Sequence, residues 1–384
     1  MADNIYGNGT TTASAGANTI THYYDRAGVK AANRVNIYAQ FADRKSLPKK
    51  NGKTFKISKF MHLYDREIDK AIGSDFDKFG FMTARTLTSV NASLAAATVT
   101  EGMGKNNVVT LKKVTMETPL ARYGEMIDYT DEVELFSEDS MQVRYREELG
   151  ELANSRNEDL IQLDMLGTTT VVYGGSSTSE STIDADSKVS YDLIRKGVRK
   201  LVRNRAKKNT SVVSGDVKVG TLPIAKAYYA IIGANVKGDL ETLTRGDIAV
   251  NGNTEYVYVP AHKYASAATL ADGEVGAMHE VRFIESESAI VLDGAGAVDT
   301  VNPEGLSATG GNFDVFPILF PTEGSFATVS LKGQGKIKFN SRSPEFVTNE
   351  NPYGTSGFFS YNFFYGGIIL QEEKLLKILV SASA

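Results

Sequence analysis

Residues Glu138 to Leu166 read EDSMQVRYREELGELANSRNEDLIQLDML. Apolar side chains recur through this stretch at steps of three, four or eight residues: Tyr145, Leu149, Leu152, Leu160 and Leu163. The aliphatic stem of Arg156 continues the same stripe. This spacing predicts an amphipathic α-helix with one apolar and one charged face. A helix of this span is roughly 40 Å long, about the width of a domain.

The ends of the predicted helix have suitable residues. Ser137 or Asp139 can cap the first turn, and Gly167 follows the last turn, where a left-handed residue is favoured. An isolated helix is only marginally stable in water, so its apolar face needs a partner. The flanking stretches alternate like strands, and we therefore expect the partner to come from the C-terminal strands.

The most strongly patterned strand is FFSYNFFYGGIIL, residues 358 to 370. Because side chains alternate along a strand, one of its faces carries only aromatic rings: Phe359, Tyr361, Phe363 and Tyr365. Such a face requires a flat apolar partner, which the long helix offers. Four apolar residues follow and predict a core that continues to the end of the chain: Leu375, Leu376, Ile378 and Leu379.

Composition excludes several classes of protein. A chain of 384 residues with 42% hydrophobic content can bury a large core and predicts two or three domains. The net charge of −4 gives no general attraction to nucleic acid or to anionic membranes. The sequence has no cysteine, which fits folding in a reducing cytoplasm. We find no signal peptide and no apolar stretch long enough to span a membrane.

The remaining segments predict an α+β pattern. Residues 1 to about 33 are rich in Gly, Thr, Ala and Asn, which indicates either a flexible tail or an arm that becomes ordered on a neighbouring subunit. Residues 50 to 122 predict a long two-stranded loop with a helical insertion between 61 and 97. The first of its strands is predicted at Thr54 to Phe60, and short strands and loops alternate from 212 to 345.

No catalytic, metal or cofactor site is predicted. The histidines His22, His62, His262 and His279 are far apart, and no carboxylates cluster at metal-ligand spacing. GMGK at 102 to 105 and GAGAVD at 294 to 299 lack the spacing and the following helix of phosphate-binding loops, so both are interpreted as turns.

A second helix is predicted from Ser190, with Tyr191, Ile194, Val198, Leu201 and Val202 buried. Its opposite face and the residues after it are strongly basic, and the candidate contact residues are Arg195, Lys196, Arg199, Lys200, Arg203 and Arg205. Three interpretations remain open: a solvated face, a surface that pairs with an acidic neighbouring subunit, or a contact to nucleic-acid backbone.

Several stretches resemble one protein family in the right order along most of the chain. They are GKTFKI (52 to 57), TEG (100 to 102), ARYGEMIDYTDE (121 to 132), GEVGAMHEVRFIES (273 to 286), DVFPILFPTEGSFATVSLKGQGKIKF (314 to 339) and NPYGTSGFFSYNFFYGGIILQEEKLLKILVSAS (351 to 383). Together they resemble the major capsid proteins of tailed, podovirus-type bacteriophages. The fold of that family is also used by herpesvirus shells.

The resemblance implies the α+β tailed-phage capsid fold. Residues 1–48 would form an N-terminal arm, 49–122 an extended loop, 123–167 with 326–384 a peripheral domain, and 168–325 an axial domain. The sequence between Phe60 and Val99 is longer than in the family, which affects the tip of the loop.

The implied function is a non-enzymatic shell subunit that forms pentamers and hexamers of an icosahedral head around double-stranded DNA. It would be assembled in the host cytoplasm and located in the virion. Expected partners are further copies, packaged DNA, a portal, a separate scaffolding protein and decoration proteins. The alternatives are a tail or portal component, or a cytoplasmic protein that binds the DNA backbone.

Overall fold

A computed structural model describes residues 36–60, 87–99, 101–102, 113–136, 141–213, 221–243, 257–264, 270–300, 302, 305–333, 337–348 and 351–384. Three sequence predictions lie outside these residues: the arm before residue 36, the helical pattern between 61 and 86, and the capping roles of Ser137 and Asp139.

The helices are α1 (Leu87–Ala96), α2 (Asp131–Phe136), α3 (Met141–Leu166), α4 (Tyr191–Arg203) and α5 (Ala234–Glu241). The strands are β1 (Asp43–Leu47), β2 (Thr54–Phe60), β3 (Lys113–Pro119), β4 (Ala121–Thr130), β5 (Val171–Tyr173), β6 (Asn209–Val213), β7 (Thr221–Ile232), β8 (Val259–Pro260), β9 (Glu274–Met278), β10 (Val281–Glu285), β11 (Ala308–Thr309), β12 (Asn312–Phe313), β13 (Phe316–Phe320), β14 (Phe326–Leu331), β15 (Lys338–Arg342), β16 (Ser356–Ile369) and β17 (Leu376–Val380).

The first sheet has five strands and is built around β16. Its strand order is β1-β14-β16-β15, and β4 also pairs with β16. The N-terminal part of β16, residues 356 to 365, runs antiparallel to the whole of β4, and its last residues pair with β14. One long strand therefore joins the ribbon formed by β4, β16 and β15 to the rest of the sheet.

The second sheet has eight strands in the order β5-β17-β13-β7-β10-β9-β8, with β6 on β7. Successive residues of β7 belong to different cores: Tyr228, Ala230 and Ile232 to one, Tyr229 and Ile231 to the other. The sheet is therefore buried on both faces, which is why β7 is apolar without alternation.

The long helix α3 packs on the aromatic face of β16, as the sequence predicts. Leu149, Ala153, Ile161 and Met165 share one buried core with the four aromatic residues of that face. The Tyr129 ring of β4 stacks on Phe359 with ring centroids 5.4 Å apart. Burial at roughly 1.5–3 kcal/mol for each large apolar side chain holds the helix on its sheet.

Two details of the predicted helix are wrong. Leu163 is 56% exposed, and Ile161 and Met165 lie in the interface instead, because the buried stripe advances in steps of four from Leu149. Gly167 does not adopt a left-handed conformation. The terminal carbonyl of Leu166 is instead satisfied by Lys377 Nζ, which donates to it at 2.9 Å.

Residues 36 to 47 pack on the same subunit. The backbone N–H groups of Tyr38 and Ala39 donate to the buried carboxylate of Glu158 on α3, at 2.8 and 3.2 Å. Strand β1 then continues the first sheet, parallel to β14. At least this part of the predicted arm is an integral element of the fold.

Strands β2 and β3 pair with each other and form the predicted two-stranded loop, and β2 has the predicted limits. Phe55, Ile57 and Met116 lie against a small core that includes Leu120 and Ile368. A salt bridge also holds the hairpin, since Lys59 Nζ lies 3.0 Å from Oε1 of Glu373, whose side chain is 2% exposed. The hairpin therefore rests on its own subunit.

The division into four segments remains a prediction. Strand β17 pairs with β5 and β13 of the second sheet, although residues 326–384 were assigned to the peripheral segment. This pairing favours moving 376–384 to the axial segment. The short turn Glu372–Lys374 connects the two sheets at that point.

Candidate functional site

The basic helix begins at the predicted residue. Ser190 is its N-cap, and its Oγ accepts a hydrogen bond from the backbone N–H of Leu193 at 3.2 Å. Leu193, Ile194, Val198 and Leu201 are buried. Val202 was predicted to be buried, but it is 56% exposed, because it lies about 100° around the helix from Leu201.

Helix α4 lies close to the second sheet because Gly197 faces β17. A Cβ at this position would be 2.9 Å from Ile378 Cδ1 and 3.2 Å from Leu376 Cδ2. The glycine thus sets the distance between helix and sheet, and the sheet in turn fixes the direction of the basic face.

The six candidate residues divide into two groups. Lys196, Arg199, Lys200 and Arg203 line one groove, and the residues found to line it include neither Arg195 nor Arg205. Arg195 lies over the Tyr191 ring, 5.4 Å from its centroid, and its Nη1 is 3.4 Å from Asp192 Oδ1. Arg205 is exposed and follows the helix in a left-handed conformation, with φ 55°.

This basic groove runs between α4 and residues 169 to 178, with a volume of about 1140 Å³. The second wall supplies the hydroxyl groups of Thr169, Thr170, Ser177 and Thr178. Lys200 Nζ bridges the two walls by donating to the carbonyl of Val171 at 2.9 Å. Burial lowers the pKa of Lys200, and the neighbouring charge of Lys196 lowers it further.

Two carboxylates also line the basic groove, and each has a cationic partner. Glu280 Oε2 lies 2.9 Å from Lys208 Nζ, and this pairing lowers the pKa of Glu280. Glu373 pairs with Lys59 of the hairpin. The groove is thus positive overall, with its cations concentrated along α4.

The sequence indicated the basic residues of α4 but not that they line a groove together with residues 169 to 178. Strand β5 reaches α4 only because both lie on β17, which is more than 170 residues away in sequence. No local pattern reports such a pairing. The exposed apolar residues of α2 were also missed, since TDEVELF at 130 to 136 has too few residues to show a face.

Within the residues that the structure describes, no group of three or more His, Asp or Glu side chains is placed to hold a metal ion. In the same residues, no helix combines the length and the apolarity needed to cross a bilayer.

Comparison with known proteins gives one consistent result. No family model matches the sequence. The "Major capsid protein" of Pseudomonas phage KPP21 is 27% identical over 373 residues, covering 94% of this chain and 92% of that protein. The capsid of Ralstonia phage GP4 superposes with a TM-score of 0.62 at 11% identity, covering 98% of this chain and 99% of that chain. The chain has the tailed-phage capsid fold.

A second capsid supports this assignment. The chain in the cyanophage Pam1 capsid asymmetric unit superposes with a TM-score of 0.56 at 14% identity, over 98% of this chain and all of that chain. The predicted α+β capsid fold and the predicted resemblance are confirmed. The chain is a structural protein of the phage shell, and its location is the virion capsid.

Proposed function

We propose that copies of this chain assemble into pentamers and hexamers of an icosahedral phage head that encloses double-stranded DNA. The observation that carries the proposal is the match to phage capsids along nearly the whole chain, with the long helix on the aromatic strand as its structural core.

Exposed apolar side chains support assembly. A group of them lies at the end of the β4–β16–β15 ribbon, in α2 and in the connection between β15 and β16: Leu135, Phe136, Phe346, Val347 and Tyr353. Soluble monomers rarely expose many large apolar side chains in one region. Contact with other copies would cover them, and head-to-tail contacts between identical subunits can close into rings.

The proposed partners beyond further copies are packaged DNA, a portal, a separate scaffolding protein and decoration proteins. We propose no catalytic role and no cofactor. The basic groove would act as a contact surface, and its occupant is considered in the next section.

Light scattering coupled to gel filtration tests the proposal, followed by electron microscopy of the largest species. We expect particles or capsomers that grow with protein concentration. A compact monomer at every concentration, also in the presence of the phage's other head proteins, would contradict it.

A further inference from the structure

Two surface features of the subunit have no partner within the described structure. The first is the basic groove beside α4. The second is helix α2, which projects from the end of β4 with Leu135 73% and Phe136 85% exposed. The groove is concave and positively charged, whereas the helix carries acidic residues and exposed apolar side chains.

The basic groove presents uncompensated positive charge. Among the described residues, no ion pair involves Lys196, Arg199 or Arg203, whereas both carboxylates of the groove already have cationic partners. Val202 lies exposed among these cations and adds an apolar contact point. The groove therefore favours an occupant that is acidic and also carries apolar side chains.

The volume of the basic groove agrees with a peptide. At about 1140 Å³ it exceeds the roughly 300–1,000 Å³ of typical small-molecule sites. A bare phosphate backbone would use the cations but not the exposed valine. A short helical segment would use both.

Helix α2 has the complementary composition. Its sequence DEVELF carries acids at 131, 132 and 134 and apolar residues at 133, 135 and 136. The backbone N–H of Asp131 donates to the carbonyl of Thr355 at 3.0 Å, which fixes the helix at the start of β16 in the first sheet. Leu135 and Phe136 of this helix are not covered by the described residues of their own subunit.

We propose that α2 of one copy docks into the basic groove of a second copy. Asp131 and Glu132 would face Arg199 and Arg203, and Phe136 would contact Val202. Helix and groove are different surfaces of the subunit, and we take the contact to be head-to-tail, so that each open chain of copies ends in one free helix and one free groove; a reciprocal two-fold contact would instead stop at crosslinked dimers. This inference rests on the proposed function and names the segment that joins neighbouring subunits.

Engineered cysteines test the proximity directly, since the sequence has no cysteine of its own. Under mild oxidation, the double variant Phe136→Cys/Val202→Cys should give a ladder of crosslinked multimers on a non-reducing gel. The matched control Leu163→Cys/Val202→Cys replaces an exposed apolar residue at the C-terminal end of α3, away from α2, and should not give the ladder. The single variants control for contacts between identical positions.

Charge reversal gives an independent readout. Arg199→Glu/Arg203→Glu should lower particle yield at least tenfold, and adding Asp131→Arg/Glu132→Arg should restore a substantial part of it. Arg195→Glu is the matched control, because this arginine contacts Tyr191 and Asp192 outside the groove lining, and it should assemble normally.

The outcomes separate this inference from the proposed function. If the wild-type protein forms particles but the Phe136→Cys/Val202→Cys variant gives no crosslinked ladder, the inference is overturned and the shell function stands. Charge-reversed protein that assembles fully but retains less nucleic acid would also overturn it and assign the groove to nucleic acid. Absence of wild-type particles under every condition would contradict the proposed function itself.

Discussion

The substitution Gly367→Ala tests a close contact between the long helix and its aromatic strand. A Cβ at Gly367 would lie 1.9 Å from Asp164 Oδ2 and 2.8 Å from Tyr365 Oη. These two atoms form a hydrogen bond of 2.7 Å, in which the tyrosine donates to the carboxylate. The new methyl group therefore displaces the carboxylate and breaks the bond between α3 and β16.

The expected cost follows from three contributions. Loss of a hydrogen bond to a charged group costs about 1.5–3 kcal/mol. Crowding in a packed contact costs about 1–3 kcal/mol. Replacing glycine within a strand returns about 0.5–1 kcal/mol. We expect the free energy of unfolding to fall by roughly 1.5–5.5 kcal/mol, the net of these three contributions.

Urea unfolding of unassembled subunits measures this change. Gly238→Ala in α5 is the matched control, because no heavy atom lies within 4 Å of its added Cβ, and it should stabilise by about 0.5–1 kcal/mol. In an Asp164→Ala background the clash with the carboxylate is gone and only the 2.8 Å approach to Tyr365 Oη remains, so Gly367→Ala should cost clearly less there than in the wild-type background. Equal costs in both backgrounds would refute the predicted close approach.

Three further predictions concern charged groups. Lys59→Met should lower the free energy of unfolding by about 2–4 kcal/mol because it leaves Glu373 buried without its cation. Lys56→Met on the same strand removes an exposed ion pair and should cost less than about 1 kcal/mol. Urea unfolding measures both changes. Lys377→Met should lower the melting temperature because the last carbonyl of α3 loses its donor, while exposed Lys338→Met should not. Burial raises the pKa of Asp164 above its ordinary 3.8, so its contribution to stability is present in acid and is lost as the pH rises through the folded-state pKa. Wild-type protein should therefore lose stability relative to Asp164→Asn over that rise, and parallel pH profiles of the two proteins would contradict this.

The sequence predicts those elements whose signal is periodic and local. The limits of β2 agree with the alternating stretch, and the packing of α3 on β16 follows from matching a wide apolar stripe to an aromatic face. These predictions succeed because the spacing of apolar residues along a helix or strand determines which side chains share the buried face.

Other features depend on contacts between distant parts of the chain. Nothing in the sequence distinguishes Glu158 from a surface acid, but in the structure it is buried, and two backbone N–H groups 119 and 120 residues away donate to it. The exposure of Leu163 depends on the exact rotation of α3 over β16. The second wall of the basic groove exists only after β17 has paired with β5. No local pattern encodes these relations.

Electron microscopy of the assembled protein tests the central claim most directly. We expect a closed shell in which every subunit touches its neighbours through the surfaces that are exposed in the isolated chain, including the ribbon end and the basic groove. A particle-free preparation of separate subunits, stable at high concentration with those apolar side chains still facing solvent, would contradict the account.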